Sequence, residues 1–365
     1  MADFDAAVFI GRFQPPHRGH MAMLRHALDA ASRVVVVLGS AHQSRMPKNP
    51  FTWQERRAMI EAALAPADRQ RVLYLPMRDF YDEARWVQAV RNGVRLLLDS
   101  VRGGGAAASA GPAPQVALVG HFKDDSSAYL AQFPDWQLLN FPRQSDTDAT
   151  LVREACFAAA DDHDPHLQAV LHEHVPPAVR DWLLAWRHST EFASLRQEWQ
   201  MLRDYRQSWA SAPFTPMFVT VDALVQCQGH VLLIERGRAP GKGLLALPGG
   251  FLEPRDTLWQ SCLRELMEET AIGLSEAEWK SAFRTVRVFD HPDRSQRGRT
   301  ITHAFHFDLG HVALPPVQGG DDAQSAAWVP IQQIGTMPER FFEDHFFILD
   351  VFLQLTHEVA LRELR

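Results

Sequence analysis

Cysteine is scarce in this chain: three in 365 residues, Cys156, Cys227 and Cys262, odd in number and never in a Cys-x-x-Cys pair. That excludes a disulfide framework and the common zinc ligand sets, and it favours reduced thiols in a cytoplasmic protein. An excess of positive charge is also missing. Lys and Arg number 37 against 44 Asp and Glu, a net charge of −7, so the basic footprint of a nucleic-acid binder is not there. No uninterrupted apolar run approaches membrane-spanning length, and even FFILDVFLQL is broken by Asp350. The opening MADFDAAVFIGRF is acidic and runs straight into a first strand, which reads as neither a secretory nor a mitochondrial leader. What remains is an ordinary globular composition, 46% hydrophobic and 22% charged, at a length that predicts two domains.

The stretch that organises the first half is GRFQPPHRGH, Gly11 to His20. A short apolar run, Ala6 to Ile10, leads into it. A segment with Leu24 and Leu28 at helical spacing follows, and then a second apolar run, Arg33 to Gly39. This is a βαβ pattern. His17 and His20 lie three residues apart, on one face at the opening of the helix. A helix N-terminus offers free N–H groups and a dipole that favours anions, so two imidazoles there suit a polyphosphate; a solvated pair or a satisfied core pair is the plainer alternative.

The rest of the first half continues the alternation. NPFTWQER carries Thr52 and Glu55 as a capping box, Val72 to Pro76 reads as a third strand, and Glu83 to Leu98 reads as a helix containing Trp86. RGGGAAASAGPAP, residues 102–114, is a low-complexity surface insertion. Gln115 to Val119 is a fourth strand running into Gly120-His121-Phe122-Lys123-Asp124, at the kind of strand end where open α/β sheets gather ligands. Asp148 to Arg153, DATLVR, opens a further helix. His163, His166, His172 and His174 match no zinc spacing.

In its longer form GRFQPPHRGH resembles the NMN adenylyltransferase branch of the nucleotidylyltransferases, whose (H/T)xGH histidines contact ATP phosphates. The resemblance extends to NPFT-x-x-ER, to the GH-x-KD segment, and to the second signature S-[AG]-T-x-[IV]-R, where this chain has Asp148 in place of serine. It implies that His17, His20 and Arg153 are catalytic. It also implies that Gly11, Arg12, Phe13, Gly120, His121, Lys123 and Thr150 face the nucleotide, and that Trp86 stacks on the nicotinamide ring.

Past Pro176-Pro177, which read as the end of a segment, Ala178 to Trp209 reads as one or two connecting helices. Phe218 to Val225 and Val231 to Glu235 are apolar strands. The second chemical centre is LPGGFLEPRDTLWQSCLRELMEETAI. On a helix, Glu265 lies three and four positions before Glu268 and Glu269. Such a carboxylate cluster is either a solvated face or a site for Mg²⁺ or Mn²⁺. From Gly250 there are five residues to Asp256 and seven more to Arg264, followed by Glu265, Glu268 and Glu269. This resembles the Nudix box G-x5-E-x7-REU-x-EE-x-GU, with Asp256 for the usual glutamate and Ala271 for the glycine. An alanine in a left-handed cap costs on the order of 1 kcal/mol, unless Gly273 takes over the termination. The loop DHPDRSQRGR resembles that of Nudix proteins handling ADP-ribose. Arg294, Arg297 and Arg299 are therefore expected to fork onto a diphosphate or to be plain loop charges. Gly249 and Gly250 are expected to line the site.

These readings predict an α/β chain: a Rossmann-like nucleotidylyltransferase domain with a parallel sheet over 1–177, a helical connection over 178–213, and a Nudix α/β/α sandwich over 214–365. The expected activities are adenylyl transfer from ATP to NMN, giving NAD and pyrophosphate, and hydrolysis of ADP-ribose on Mg²⁺ or Mn²⁺ held by Glu265, Glu268 and Glu269. Two alternatives stand: a nucleotide-sensing second half, and a different phosphorylated acceptor for the first. The expected partners are these small molecules, with no nucleic acid and no membrane. A homo-oligomer is left open.

Overall fold

The computed structural model describes residues 3–101, 114–120, 125–141 and 148–356. The 102–114 insertion, but for Pro114, and His121 and Lys123 lie outside the described residues. The chain divides into two compact units, one up to Arg196 and one from Gln197, and the division falls inside a long helix.

The first unit runs β1 (Phe4–Gly11), α1 (Arg18–Ala30), β2 (Ala31–Leu38), α2 (Trp53–Ala63), α3 (Pro66–Arg69), β3 (Val72–Pro76), α4 (Glu83–Val101), β4 (Val116–Gly120), β5 (Gln137–Asn140), α5 (Ala149–Ala158), α6 (Pro165–His174), α7 (Pro177–Trp186) and the start of α8 (Thr190–Ser208), whose residues from Gln197 belong to the second unit. Its sheet has the order β3-β2-β1-β4-β5, and every neighbouring pair is parallel. Such a sheet must be covered on both faces, and so its strands read as unbroken apolar runs. Ala7, Phe9, Val34 and Val36 pack with Leu24, Leu28 and Ile60 on one side. Their neighbours Ala6, Val8, Val35 and Val37 pack with Val90, Val94 and Leu98 on the other. Each such side chain contributes roughly 1.5–3 kcal/mol by leaving water. Pro176-Pro177 follows the end of α6 at His174 and also opens the next helix: Pro177 is the first residue of α7, where a missing N–H costs nothing.

The second unit runs β6 (Met217–Cys227), β7 (His230–Arg236), β8 (Leu245–Ala246), β9 (Gly249–Phe251), α9 (Leu258–Thr270), α10 (Glu276–Ala282), β10 (Phe283–Phe289), β11 (Arg299–Asp308), β12 (Ala323–Pro330), α11 (Ile331–Ile334) and α12 (His345–Leu353). Its mixed sheet has the order β10-β11-β6-β7-β12, with β8 on β7 and β9 on β6. Helix α9 lays Cys262 and Leu266 against Val221, Ala223, Val225 and Phe307. That packing fixes which side of α9 its glutamates leave free. Ala271 itself takes the left-handed cap, with φ 49° and ψ 25°, so Gly273 does not take over. The apolar stretch broken by Asp350 is α12, where Asp350 is buried and accepts from the backbone N–H and hydroxyl of Thr356, each at 2.9 Å.

Candidate active sites

In the first unit the carboxyl ends of β1, β2, β3 and β4 form one edge, and most of the predicted residues lie along it. His17 is the N-cap of α1, and the two histidines cap each other. The His20 N–H donates to His17 Nδ1 and the His17 N–H donates to His20 Nδ1, both at 3.3 Å. Their rings stack with centroids 3.6 Å apart. Because each Nδ1 is an acceptor, each neutral ring carries its proton on Nε2. His20 lies against Phe13, 4.7 Å between centroids. Burial, and then His17, hold its pKa well below the ordinary histidine value.

Arg153 reaches back from α5 into the same loop. Its Nη1 donates to the Gln14 carbonyl at 2.5 Å and its Nη2 to Thr150 Oγ1 at 3.1 Å. Burial and the charge of Arg12 lower it to about 10. The stretch from Arg12 to His20 thus carries two imidazole N–H donors and the Arg12 guanidinium and is met by that of Arg153, a composition that suits an anion. Asp148, standing where the resembling signature has serine, is turned to its own helix: Oδ1 accepts the Thr150 N–H at 2.8 Å as the N-cap of α5. Aspartate and serine cap about equally well.

Holding the loop in place is Arg56, a guanidinium with no exposed surface. It donates to the carbonyls of Arg12 and Gly39 at 2.6 Å each, of Thr52 at 3.3 Å and of Ser40 at 3.4 Å. Gln14 adds a two-way bond to the backbone of Phe51, 2.8 and 3.0 Å. Gly11 closes β1 and accepts from Gly39 N–H, Phe13 is buried at φ 50°, and Gly120 closes β4. Trp86 stands half-buried on α4, edge-on to Tyr129 and Phe133 at 5.7 and 6.1 Å.

In the second unit the Gly-Gly turn is packed against acidic groups. A Cβ on Gly249 would come within 2.2 Å of the Val221 carbonyl, so only glycine fits there, and one on Gly250 within 2.5 Å of the Glu265 carboxylate, which would have to swing aside. Gly249 N–H donates to Glu269 Oε2 at 2.8 Å. Burial, and then the charges of Glu265 and Asp222, raise the Glu269 carboxyl to about 8. Arg264 ties the rest of the helix together, meeting Glu268 at 2.8 Å, Glu265 at 3.0 Å and Asp256 at 3.3 Å. The shorter Asp256 thus still reaches its arginine. Among the described residues no three His, Cys, Asp or Glu side chains form a ready cation site, since Glu268 is drawn to Arg264. The donors nevertheless fit a hard divalent cation: all are carboxylate oxygens, and Glu269 is a buried acid whose ionisation its acidic neighbours oppose.

The three loop arginines part company. Arg294 is a correction to the expected diphosphate fork: it is buried, and both its Nε and Nη2 are taken by Asp344 at 2.8 and 3.0 Å, because a buried guanidinium needs acceptors within the fold and the buried Asp344 supplies them. Arg299 donates to the Asp290 carbonyl. Arg297 is half-buried, with its guanidinium 4.9 Å from the Phe251 ring centre. Sequence reasoning missed Arg236, which ends β7 with its guanidinium 4.1 Å from the Phe342 ring centre and in the field of Glu269. A charge closing the apolar run HVLLIER was its only signal. It also missed His345, buried with Nδ1 accepting the Leu247 N–H at 3.0 Å.

A parallel sheet with an anion-ready loop edge, joined to a mixed sheet bearing a Gly-Gly turn and a carboxylate helix, defines a two-domain enzyme of nucleotide chemistry. Residues 8–92 match the cytidylyltransferase-like family model and residues 217–350 the NUDIX domain model. A nicotinamide/nicotinic acid mononucleotide adenylyltransferase from Acinetobacter baylyi is 31% identical over 201 residues, 55% of this chain and 96% of that protein. The crystal structure of a bifunctional NMN adenylyltransferase/ADP ribose pyrophosphatase from Francisella tularensis is 34% identical. It covers 96% of this chain and 99% of its own, with a TM-score of 0.84. Its complex with AMP and a Mn ion is also 34% identical, at a TM-score of 0.83 and the same coverage. The chain belongs to the family of bifunctional NMN adenylyltransferase/ADP ribose pyrophosphatases.

Proposed function

We propose that residues 1–177 transfer the adenylyl group of ATP to NMN, forming NAD and pyrophosphate, and that residues 214–365 hydrolyse ADP-ribose to AMP and ribose 5-phosphate, with 178–213 joining them. The observation that carries the first half is the loop after β1, which holds Arg12, runs into the reciprocally capped His17–His20 pair and is met by Arg153 at the Gln14 carbonyl. An NMN phosphate oxygen attacks the α-phosphorus of ATP, and the bond to the bridging oxygen of pyrophosphate breaks. Negative charge grows on the leaving group. The neutral imidazoles offer it Nε2–H donors and Arg153 a fixed charge, all oriented before the reaction begins. Trp86 presents a flat face for the nicotinamide.

In the second half a divalent cation, Mg²⁺ or Mn²⁺, held by Glu265, Glu268 and Glu269, would polarise the diphosphate and activate water. Arg264 orients two of those carboxylates, and the Gly249 N–H orients the third. Arg297 and Arg236 supply positive charge for the substrate phosphates.

The test is chromatography of products after incubation with Mg²⁺, ATP and NMN, and in parallel with ADP-ribose. NAD in the first and AMP in the second are expected. His20→Ala lowers NAD formation by ~100-fold or more, as the loss of a charge-stabilising donor does elsewhere. Glu269→Gln abolishes AMP formation and leaves NAD formation intact. Unchanged turnover in either variant removes the role assigned to that residue. Binding of ADP-ribose without AMP would make the second half a sensor.

A further inference from the structure

Arg236 and Arg297 have an unusual setting. Each guanidinium lies over a phenyl ring, 4.1 and 4.9 Å from the ring centres of Phe342 and Phe251. The Nε of Arg236 donates to the Pro240 carbonyl at 2.9 Å and that of Arg297 to Ser295 Oγ at 3.5 Å. Among the described residues neither makes a direct ion pair. The two cations repel, and burial together with Arg297 lowers Arg236 below the usual arginine range.

Glu343, Glu269 and Asp322 all offset the charge of Arg236, and Glu343 also faces Arg297, to which it is linked through Ser295 Oγ. Glu343 takes a left-handed backbone, φ 43°, a conformation that costs a side-chain-bearing residue about 1 kcal/mol and persists only where its surroundings impose it. Oε1 accepts from Ser295 Oγ at 3.0 Å and from Gln296 N–H at 2.9 Å, so the same loop that carries Arg297 also holds the carboxylate. Oε2 takes no hydrogen bond among the described residues. The charged groups around it are Arg297 from the loop before β11, Arg236 from β7, Glu198 from α8 and its chain neighbour Asp344. Two attract its negative charge and two oppose it.

We propose that Glu343 is a built-in stand-in for the substrate's diphosphate: its carboxylate balances Arg236 and Arg297 in the free domain and releases them, taking up a proton, when the diphosphate binds. The inference rests on the reading that residues 214–365 bind ADP-ribose. A diphosphate diester carries two negative charges. Placed on the two guanidinium groups, it replaces the attraction that keeps Glu343 ionised with repulsion. One proton moves from solvent to the carboxylate, and no covalent bond changes. Burial, which already raises this carboxyl above the ordinary range, makes the proton easier to accept. The affinity for ADP-ribose therefore falls as pH rises, and Glu343 sets how steeply.

The test is calorimetric titration of the full chain with ADP-ribose in EDTA, which withholds the cation and leaves binding alone. Runs in two buffers of different ionisation enthalpy count the protons taken up. The unaltered chain takes up protons and binds more weakly as pH is raised from 6 to 8.5. Glu343→Gln keeps the Oε1 acceptor but loses the charge. It is expected to bind about tenfold more tightly at the upper pH, the equivalent of one pKa unit of coupling, with a flat profile and no uptake. Glu343→Gly, which suits the left-handed backbone, gives the same loss of uptake should the glutamine variant fail to fold. Glu198→Gln keeps the uptake, which separates Glu343 from the other raised carboxyl of this cluster. Uptake and pH slope that survive in Glu343→Gln overturn the proposal. Absence of binding by the unaltered chain overturns the ADP-ribose reading and the proposal with it.

Discussion

Lowering the pH from 7 to 5 should destabilise the second unit through one residue, His345. Its ring is buried at 8% exposure, and Nδ1 accepts the Leu247 N–H at 3.0 Å. Burial is the main reason that its pKa falls from 6.5 to about 3; Arg294, Arg236 and Arg297 add to the effect and Asp344 opposes it. A group whose pKa is depressed on folding contributes stability above its unfolded pKa and loses it as pH falls towards the folded value. The window here runs from 6.5 down to about 3. The loss is about 1.4 kcal/mol per pH unit below 6.5, hence about 2 kcal/mol at pH 5. The acids Asp222, Glu269 and Glu343 shift the other way, so the comparison has to be between variants. His345→Phe leaves the Leu247 N–H without its acceptor and costs about 1–3 kcal/mol at pH 7. It also removes the titration, so its urea midpoint should fall less than that of the unaltered chain between pH 7 and pH 5. Leu247 leads through Pro248 to Gly249, whose N–H holds Glu269, so ADP-ribose hydrolysis should fall as well. Equal acid sensitivity in the two proteins, after allowance for their m-values, would refute the account of His345 as a buried neutral acceptor.

Arg56→Met removes a buried donor from four carbonyls, two of them at 2.6 Å. At about 1.5–3 kcal/mol per charged hydrogen bond, partly recovered by water, it should destabilise the first unit by roughly 3–5 kcal/mol and abolish NAD formation; a urea melt showing less than about 1 kcal/mol would mean that the loop holds its shape without it. Ala271→Gly relieves a left-handed cap at φ 49° and should stabilise the second unit by about 1 kcal/mol, read as a raised urea midpoint at unchanged m. Trp86→Ala should raise KM for NMN by about tenfold or more and leave KM for ATP nearly unchanged, since stacked area is lost on one substrate only; equal rises in both would place Trp86 in the packing with Tyr129 and Phe133 instead.

The residues that sequence reasoning reached are those whose chemistry fixes their spacing along a single element. His17 and His20 sit on one turn of α1, and Glu265, Glu268 and Glu269 on two turns of α9, so helical geometry alone places them. Thr52 and Glu55 form the capping box that their spacing predicts, and the unbroken apolar strands of the parallel sheet follow from its two covered faces. What spacing cannot give is the direction of a charge in a loop. Arg56 and Arg57 are adjacent, yet one is buried on four carbonyls while the other pairs with Glu61 on an open helix face. Arg294 and Arg297 are three apart, yet one ends on the buried Asp344 and the other on the face of Phe251. In both cases the outcome depends on a partner brought up by a distant part of the chain: the Gly39 carbonyl at the end of β2 in the first, Asp344 before α12 in the second. Glu343 carries this further. Its partners Ser295 and Gln296 lie 48 and 47 residues away in sequence, and the two arginines around it come from opposite sides of the Nudix box. A single glutamate before an apolar helix gives no sign of this, because its meaning lies in which cations the fold brings beside it.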